Sequence, residues 1–263
     1  MRRFSAAYLR DTRRGLWDDR RALAALSLGD RERILDVGCG SGELTRVLRE
    51  ESDAEVVGID ADRELLAHVA DAARVQGDAT SLPFADDAFD LVVCQALLIN
   101  LPDPGIAVRE FARVSSDRVA AIEPDNSRVT VDSSVPTEGP LARRAREAYI
   151  AGVETDVTLG PSVADHFREA GVRDVETTRH ALTRAVSAPY DESDVESAKR
   201  KARGTRIEEQ RRTLRSGGLS TADVDDLRQA WREMGREVVD QMAAGEYERE
   251  AVVPFFVTAG RVD

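Results

Sequence analysis

From residue 33 to 125 the chain alternates short β-branched apolar runs with stretches whose apolar residues recur every three or four positions. That alternation predicts a parallel sheet built from strand–helix–strand units. The runs are Arg33–Val37, Glu55–Ile59 (ending in Asp60), Ala73–Gln76, Asp90–Cys94 and Arg118–Ile122. They are nearly continuous rather than alternating, so the sheet is expected to be covered on both faces. Between them, Leu44, Val47 and Leu48 share one face of a predicted helix opening near Glu43, and Leu65, Leu66 and Val69 stripe the next.

The second half has a different rhythm. Pro140–Ala151 and Pro161–Ala170 read as helices with proline in the first turn. Val172–Val186 alternates apolar and polar residues as a strand does, and Asp191–Gly245 is highly charged helix-forming sequence broken at Gly217–Gly218. Val252-Val253-Pro254-Phe255-Phe256-Val257 marks a final strand over Ala251–Val262. The fold expected is α/β: a doubly wound, Rossmann-like sheet of seven strands, the last antiparallel, with a helical lid inserted before it. The expected division is 1–29 as N-terminal cap helices, 30–186 as the core, 187–250 as the lid and 251–263 as the core's last strand. Within the lid, Val224, Leu227, Trp231, Met234, Val238, Val239 and Met242 recur at helical spacing and need an apolar partner, for which the helix Leu141–Ile150 is the candidate.

Composition narrows the setting. The 263 residues carry a net charge of −12, and only two, Lys199 and Lys201, are lysine. An acidic, lysine-poor surface suits a cytosol of high salt, where carboxylates stay hydrated and their repulsion is screened, and a halophilic archaeon is the expected source. No run reaches the ~20 apolar residues of a membrane span, and the charged first residues lack a signal-peptide core, so a cytoplasmic location is expected. Cys39 and Cys94 have no metal-ligand spacing, His68, His166 and His180 are scattered, and no nucleophile triad is visible. The basic run Lys199–Arg215 is interleaved with Glu208 and Glu209 and reads as a solvated helix face. With aromatics at 5%, base-stacking platforms are poorly supported, which argues against nucleic acid.

The chemistry concentrates at the first strand's end. Gly38, Gly40 and Gly42 follow a buried strand and open a helix, where glycine lets the chain turn sharply and a ligand lie against the backbone N–H groups. Asp60, ending the next strand, stands where a carboxylate accepts hydrogen bonds from both hydroxyls of a ribose. With Gly77-Asp78 ending the third strand, these make an adenosine pocket. A nicotinamide fingerprint wants glycine where Glu43 stands. A negative charge there repels a pyrophosphate and suits a phosphate-free, cationic ligand such as S-adenosylmethionine.

Ile34-Leu35-Asp36-Val37-Gly38-Cys39-Gly40-Ser41-Gly42 resembles the first motif of the class I S-adenosylmethionine-dependent methyltransferases. Val57-Gly58-Ile59-Asp60, Gly77-Asp78-Ala79 with Leu82-Pro83-Phe84, and Phe89-Asp90-Leu91-Val92 with Leu101-Pro102-Asp103-Pro104 are similar to the following three. The resemblance implies that Asp36 and the backbone of Gly38, Cys39, Gly40 and Gly42 hold the methionine part, and that Asp60 with the adjacent Ala61 holds the ribose. It likewise assigns Asp78 and Ala79 to the adenine and Gln95 to the methionine and the reacting centre. A helix before the first strand closes over the cofactor in such proteins, which makes Tyr8 a contact candidate. The acceptor implied is a small molecule, with an RNA methyltransferase and a non-catalytic S-adenosylmethionine-binding module as alternatives. Asn100 stands where many relatives carry a histidine, so a histidine base is absent there; with Asp125 and Asn126 after the fifth strand it is a candidate for touching the acceptor. No catalytic residue and no metal ligand is nominated.

Overall fold

The computed structural model describes residues 6–13, 15–70 and 72–262, without the side chains of residues 7, 8, 10 and 11. In chain order the strands are β1 Arg33–Val37, β2 Glu55–Asp60, β3 Ala73–Gln76, β4 Phe89–Gln95, β5 Ser115–Pro124, β6 Thr130–Ser133, β7 Arg173–Val186 and β8 Arg249–Arg261. The sheet order is β3-β2-β1-β4-β5-β8-β6, with β7 also paired to β8. Strands β1 to β5 pair in parallel, and β8 runs antiparallel to β5. The expected Rossmann-like arrangement is present, with one strand more than predicted. β6 is four residues long and finds its partner in the first half of β8, Thr130 opposite Val252 through Ser133 opposite Arg249.

The helices are α1 Ala6–Arg13, α2 Glu43–Glu50, α3 Arg63–Leu66, α4 Pro104–Val114, α5 Glu138–Gly152, α6 Val163–Glu169, α7 Glu192–Arg203, α8 Thr205–Glu209, α9 Arg211–Ser216 and α10 Thr221–Ala244. The stripe Leu65, Leu66, Val69 predicts a full helix, but α3 is a single turn. The Arg74 guanidinium takes the Leu66 and Val69 carbonyls that a longer helix would use. All three apolar residues are buried nonetheless.

The chain forms two compact units. The first comprises 1–125, 159–180 and 255–263, and the second 126–158 and 181–254. The first unit's core is the sheet's apolar runs (Leu35, Val37, Ile59, Val92, Val119) against Val108 and Phe111 of α4 and Phe167 of α6. The second unit has its own core, in which Val224, Leu227, Trp231, Met234 and Val238 of α10 meet Ala145 and Ala148 of α5, Ala198 of α7 and Leu214 of α9. The α10 stripe therefore packs against the helix its periodicity called for. Val239 is the exception, 37% exposed. The second unit joins 126–158 to 181–254, and Val135, Ala145 and Ala148 are buried there among α7, α9 and α10.

Candidate functional site

The ends of β2, β1 and β4 lie side by side, with Val37 level with Ile59 on one flank and Cys94 on the other. The residues that follow, Asp60, Gly38 and Gln95, therefore share one rim of the sheet. Gly38, Gly40 and Gly42 all take positive φ (69°, 57° and 89°), the left-handed region in which glycine alone is unstrained. The turn hangs from β2: the N–H groups of Gly38 and Cys39 donate to the Ile59 carbonyl at 2.7 and 3.1 Å. A Cβ on Gly38 would lie 2.7 Å from Leu97 Cδ1, so the chain after β4 comes close to the loop.

Two carboxylates serve this rim. Asp60 accepts from the Gly40 N–H at 2.9 Å and from the Asp62 N–H at 2.8 Å, one on each oxygen, and so joins the glycine loop to the turn after β2. Each oxygen keeps a lone pair for another donor. Asp36 is fully buried and accepts the Thr45 hydroxyl at 2.6 Å. Burial raises its pKa to about 7, against the Thr45 hydrogen bond and the Arg13 charge, which pull it down. Glu43 opens α2, and its carboxylate lies 3.3 Å from the Arg13 guanidinium. Arg13 belongs to α1, which packs on the loop: a Cβ on Gly40 would sit 2.9 Å from Leu9 Cδ1 and 3.3 Å from Arg13 Nη1.

Gln95 closes the other flank. It is only 2% exposed, yet neither Oε1 nor Nε2 has a hydrogen-bond partner among the described residues. Asn100, 7% exposed, spends its Nδ2 on the Ala96 carbonyl at 2.7 Å and leaves Oδ1 unpartnered. The segment bearing both is fastened from β5. Buried Glu123 accepts the N–H groups of Leu97, Leu98 and Ile99 at 2.9, 2.8 and 3.4 Å. Its pKa is raised to about 7 by burial, against the pull of those N–H groups.

The remaining predicted residues are spread further along the rim. Asp78 is exposed after β3 and accepts the Thr80 N–H and hydroxyl, which hold its carboxyl below the usual range. Ala79 packs beside it on the first unit's core, and the Ala61 carbonyl accepts from Gln76. Cys39 and Cys94 are buried free thiols, both pushed up by burial. Buried Asp125 ends the first unit's opening segment, whereas Asn126 opens the second and donates to the Val157 carbonyl at 2.7 Å. The side chain of Tyr8 lies outside the described residues. Sequence reasoning missed Arg13, Thr45 and Glu123. Glu123 had a signal, an acid ending an apolar run as Asp60 does. Arg13 had none within its arginine-rich segment.

The arrangement fits S-adenosylmethionine. A buried amide with no partner awaits hydrogen-bonding groups, and three carboxylates against one guanidinium favour a cation. Among the described residues no His, Cys, Asp and Glu group could hold a metal ion, and no helix is long and apolar enough to cross a membrane.

Residues 35–118 match a family described as a methyltransferase domain. A demethylmenaquinone methyltransferase of Lactiplantibacillus plantarum is 31% identical over 173 residues, 61% of this chain and 68% of that protein. A 2-phytyl-1,4-naphtoquinone methyltransferase of Synechococcus elongatus is 32% identical over 131 residues, 45% of this chain and 53% of that protein. Apart from the first, the chain spans about half the length of such relatives. The fold is shared with a candidate methyltransferase of Bacillus halodurans, whose structure covers 93% of this chain and 100% of its own at 15% identity and a TM-score of 0.53.

Proposed function

The chain belongs to the class I S-adenosylmethionine-dependent methyltransferases, and on that premise we propose that it methylates a small-molecule acceptor of the quinone class. Gln95 carries the reading, because its buried amide beside the glycine loop has no partner among the described residues, and a bound ligand would offset that cost. Two relatives, a demethylmenaquinone and a 2-phytyl-1,4-naphtoquinone methyltransferase, support the acceptor class. We assign Asp60 to the ribose hydroxyls, Asp78 to the adenine amino group, Asp36 and the backbone of the glycine loop to the methionine part, and Asn100 and Asp125 to the acceptor.

When bound, S-adenosylmethionine supplies a methyl group already activated by a positive sulfur. What the chain's residues add is alignment and exclusion of water, worth up to ~7–11 kcal/mol in well-oriented reactions. Asp36 and Glu43 balance the ligand's positive charge, and Glu123 fixes the backbone that carries Gln95. A general base is required only if the acceptor must lose a proton, and none is assigned. The acidic, lysine-poor composition supports a high-salt, cytosolic setting.

The test is titration with S-adenosylhomocysteine, followed by its release from S-adenosylmethionine in the presence of a reduced naphthoquinone. Binding with acceptor-dependent release supports the reading. Binding with release only from RNase-sensitive cell extract replaces the acceptor by RNA, and release with other small molecules but not with quinones removes the quinone class. Asp60→Ala leaves ribose hydroxyls unpaired and is expected to weaken binding by about 1–3 kcal/mol.

A further inference from the structure

The basic run Lys199–Arg215 divides in the structure. Lys199 and Arg203 pair with Glu196, Arg200 with Glu209, and Arg211 with Glu208 and Asp225, the solvated, neutralised face that the interleaved acids predict. Arg206 is placed differently. Its guanidinium lies 6.0 Å from the centre of the Trp231 ring, and that ring shares one core with Ile207 of α8 and with Ala145 and Ala148 of α5. Arg206 precedes Ile207 and Arg146 follows Ala145, so both stand at the margin of this core. Arg143 lies one turn before Arg146 on the same helix, the spacing at which side chains are neighbours. Arg144 pairs with Asp223 at 3.8 Å, but Arg143 and Arg146 have no carboxylate partner among the described residues. Burial, with the charges of Arg206 and Arg143, pulls the half-buried Arg146 below its ordinary pKa, against the adjacent Glu147.

We propose that Arg143, Arg146 and Arg206 form a binding site for a phosphate-class oxyanion on the second unit. Like charges held together cost free energy, and the partial burial of Arg146 adds to that cost, so an anion between them offsets both. On a chain of net charge −12, such a cluster is not a general property of the surface. Its charge sets the ligand class: one carboxylate leaves two cations in excess, whereas a phosphate dianion presents several oxygens to three planar forks. The surrounding groups are donors as well. Trp231 is 4% exposed, and its indole N–H has no acceptor among the described residues, so what this margin lacks is an acceptor. The site lies within one unit and does not depend on the cofactor assignments.

Urea midpoints of the intact protein in potassium phosphate and in potassium chloride of equal ionic strength give the first readout. A ligand that binds the folded state raises the midpoint by mass action, so phosphate is expected to raise it saturably above the chloride value. Calorimetric titration with phosphate gives the affinity, which Arg146→Gln should weaken at least about tenfold. In chloride alone the same variant should hold or raise the midpoint, because it relieves repulsion; a merely structural arginine would lower it. Arg143→Gln, at an exposed position, should weaken phosphate in the same sense and carries the test if Arg146→Gln does not fold. Arg109→Gln, exposed in the first unit, should leave the affinity within about twofold. Phenyl phosphate identifies the source: tighter binding than inorganic phosphate assigns the site to a phosphorylated organic molecule, and equal or weaker binding to inorganic phosphate itself. Equal midpoints in phosphate and chloride, a response to acetate that matches phosphate, or unchanged affinity in both Arg143→Gln and Arg146→Gln would each overturn the site.

Discussion

A buried amide without partners costs about 1–3 kcal/mol of stability, and the fold retains one at Gln95. Replacing it by leucine removes the orphaned atoms and keeps most of the volume. Gln95→Leu is therefore expected to hold or raise the urea midpoint while methyl transfer falls at least tenfold; a variant that loses stability and keeps turnover would make Gln95 a structural residue. Asp36 yields a pH prediction. Its folded pKa of about 7 lies above the ordinary 3.8, so the folded protein holds a proton that the unfolded chain releases. The stability it contributes is complete below about pH 4 and is lost as pH rises through 7, and Glu123 acts in the same sense from 4.5 to about 7. Urea midpoints should thus fall between pH 5 and pH 8, and Asp36→Asn should narrow the difference. The ligand's ammonium favours the ionised carboxylate, so S-adenosylhomocysteine should bind more tightly as pH rises from 6 to 8, with the Asn variant flat and about tenfold weaker at pH 8. Asp60 was legible because the glycine loop stands beside the strand it ends, and Asp36 through the resemblance of the motif that carries it. Arg13 was not, because what distinguishes it is the company it keeps in space.

At the scale of elements, the second unit is assembled around close helix approaches that only glycine permits. A Cβ on Gly235 of α10 would lie 2.3 Å from the Ala202 backbone nitrogen of α7, and one on Gly152 of α5 would lie 1.9 Å from the Thr213 carbonyl oxygen of α9. Backbone cannot yield as a side chain can. Gly235→Ala is therefore expected to destabilise by about 1–3 kcal/mol or more through overpacking, read as a lower midpoint by helical circular dichroism; an unchanged midpoint would show that α7 and α10 slide apart freely. Apolar runs and helical periodicity made the strands and long helices legible, and in the structure Ser220 and Asp191 each begin a capping box ahead of α10 and α7. β6 and the truncation of α3 were not. The first depends on a partner over a hundred residues away, and the second on Arg74 reaching back to two carbonyls.

For the whole molecule, charge and division into units set the expectations. At a net charge of −12, raising salt from 0.1 to 1 M shortens the screening length from about 10 to about 3 Å. The melting temperature should rise by several degrees over that range, and a flat profile would remove the high-salt reading. The division itself was only half legible. Periodicity marked the charged helices as a separate segment, but nothing local to 126–158 shows that Val135, Ala145 and Ala148 join the same core. Because each unit buries its own apolar residues, each is expected to have its own opening free energy. The second unit's core is also tied through a polar cluster: buried Glu138 of α5 accepts from Lys201 at 2.7 Å, Arg249 at 2.9 Å and the Tyr247 hydroxyl at 2.8 Å. Burial pushes the Tyr247 phenol up and the Lys201 ammonium down, while the cations beside Glu138 hold its carboxyl below the ordinary value. Removing one member strands the others, at about 3–5 kcal/mol for a buried charge. Glu138→Ala should accelerate amide exchange across 192–244 and leave 33–60 protected. S-adenosylhomocysteine should slow exchange across 33–60 in that variant as in the unaltered protein. Uniform acceleration of both regions by Glu138→Ala would show one cooperative body rather than two.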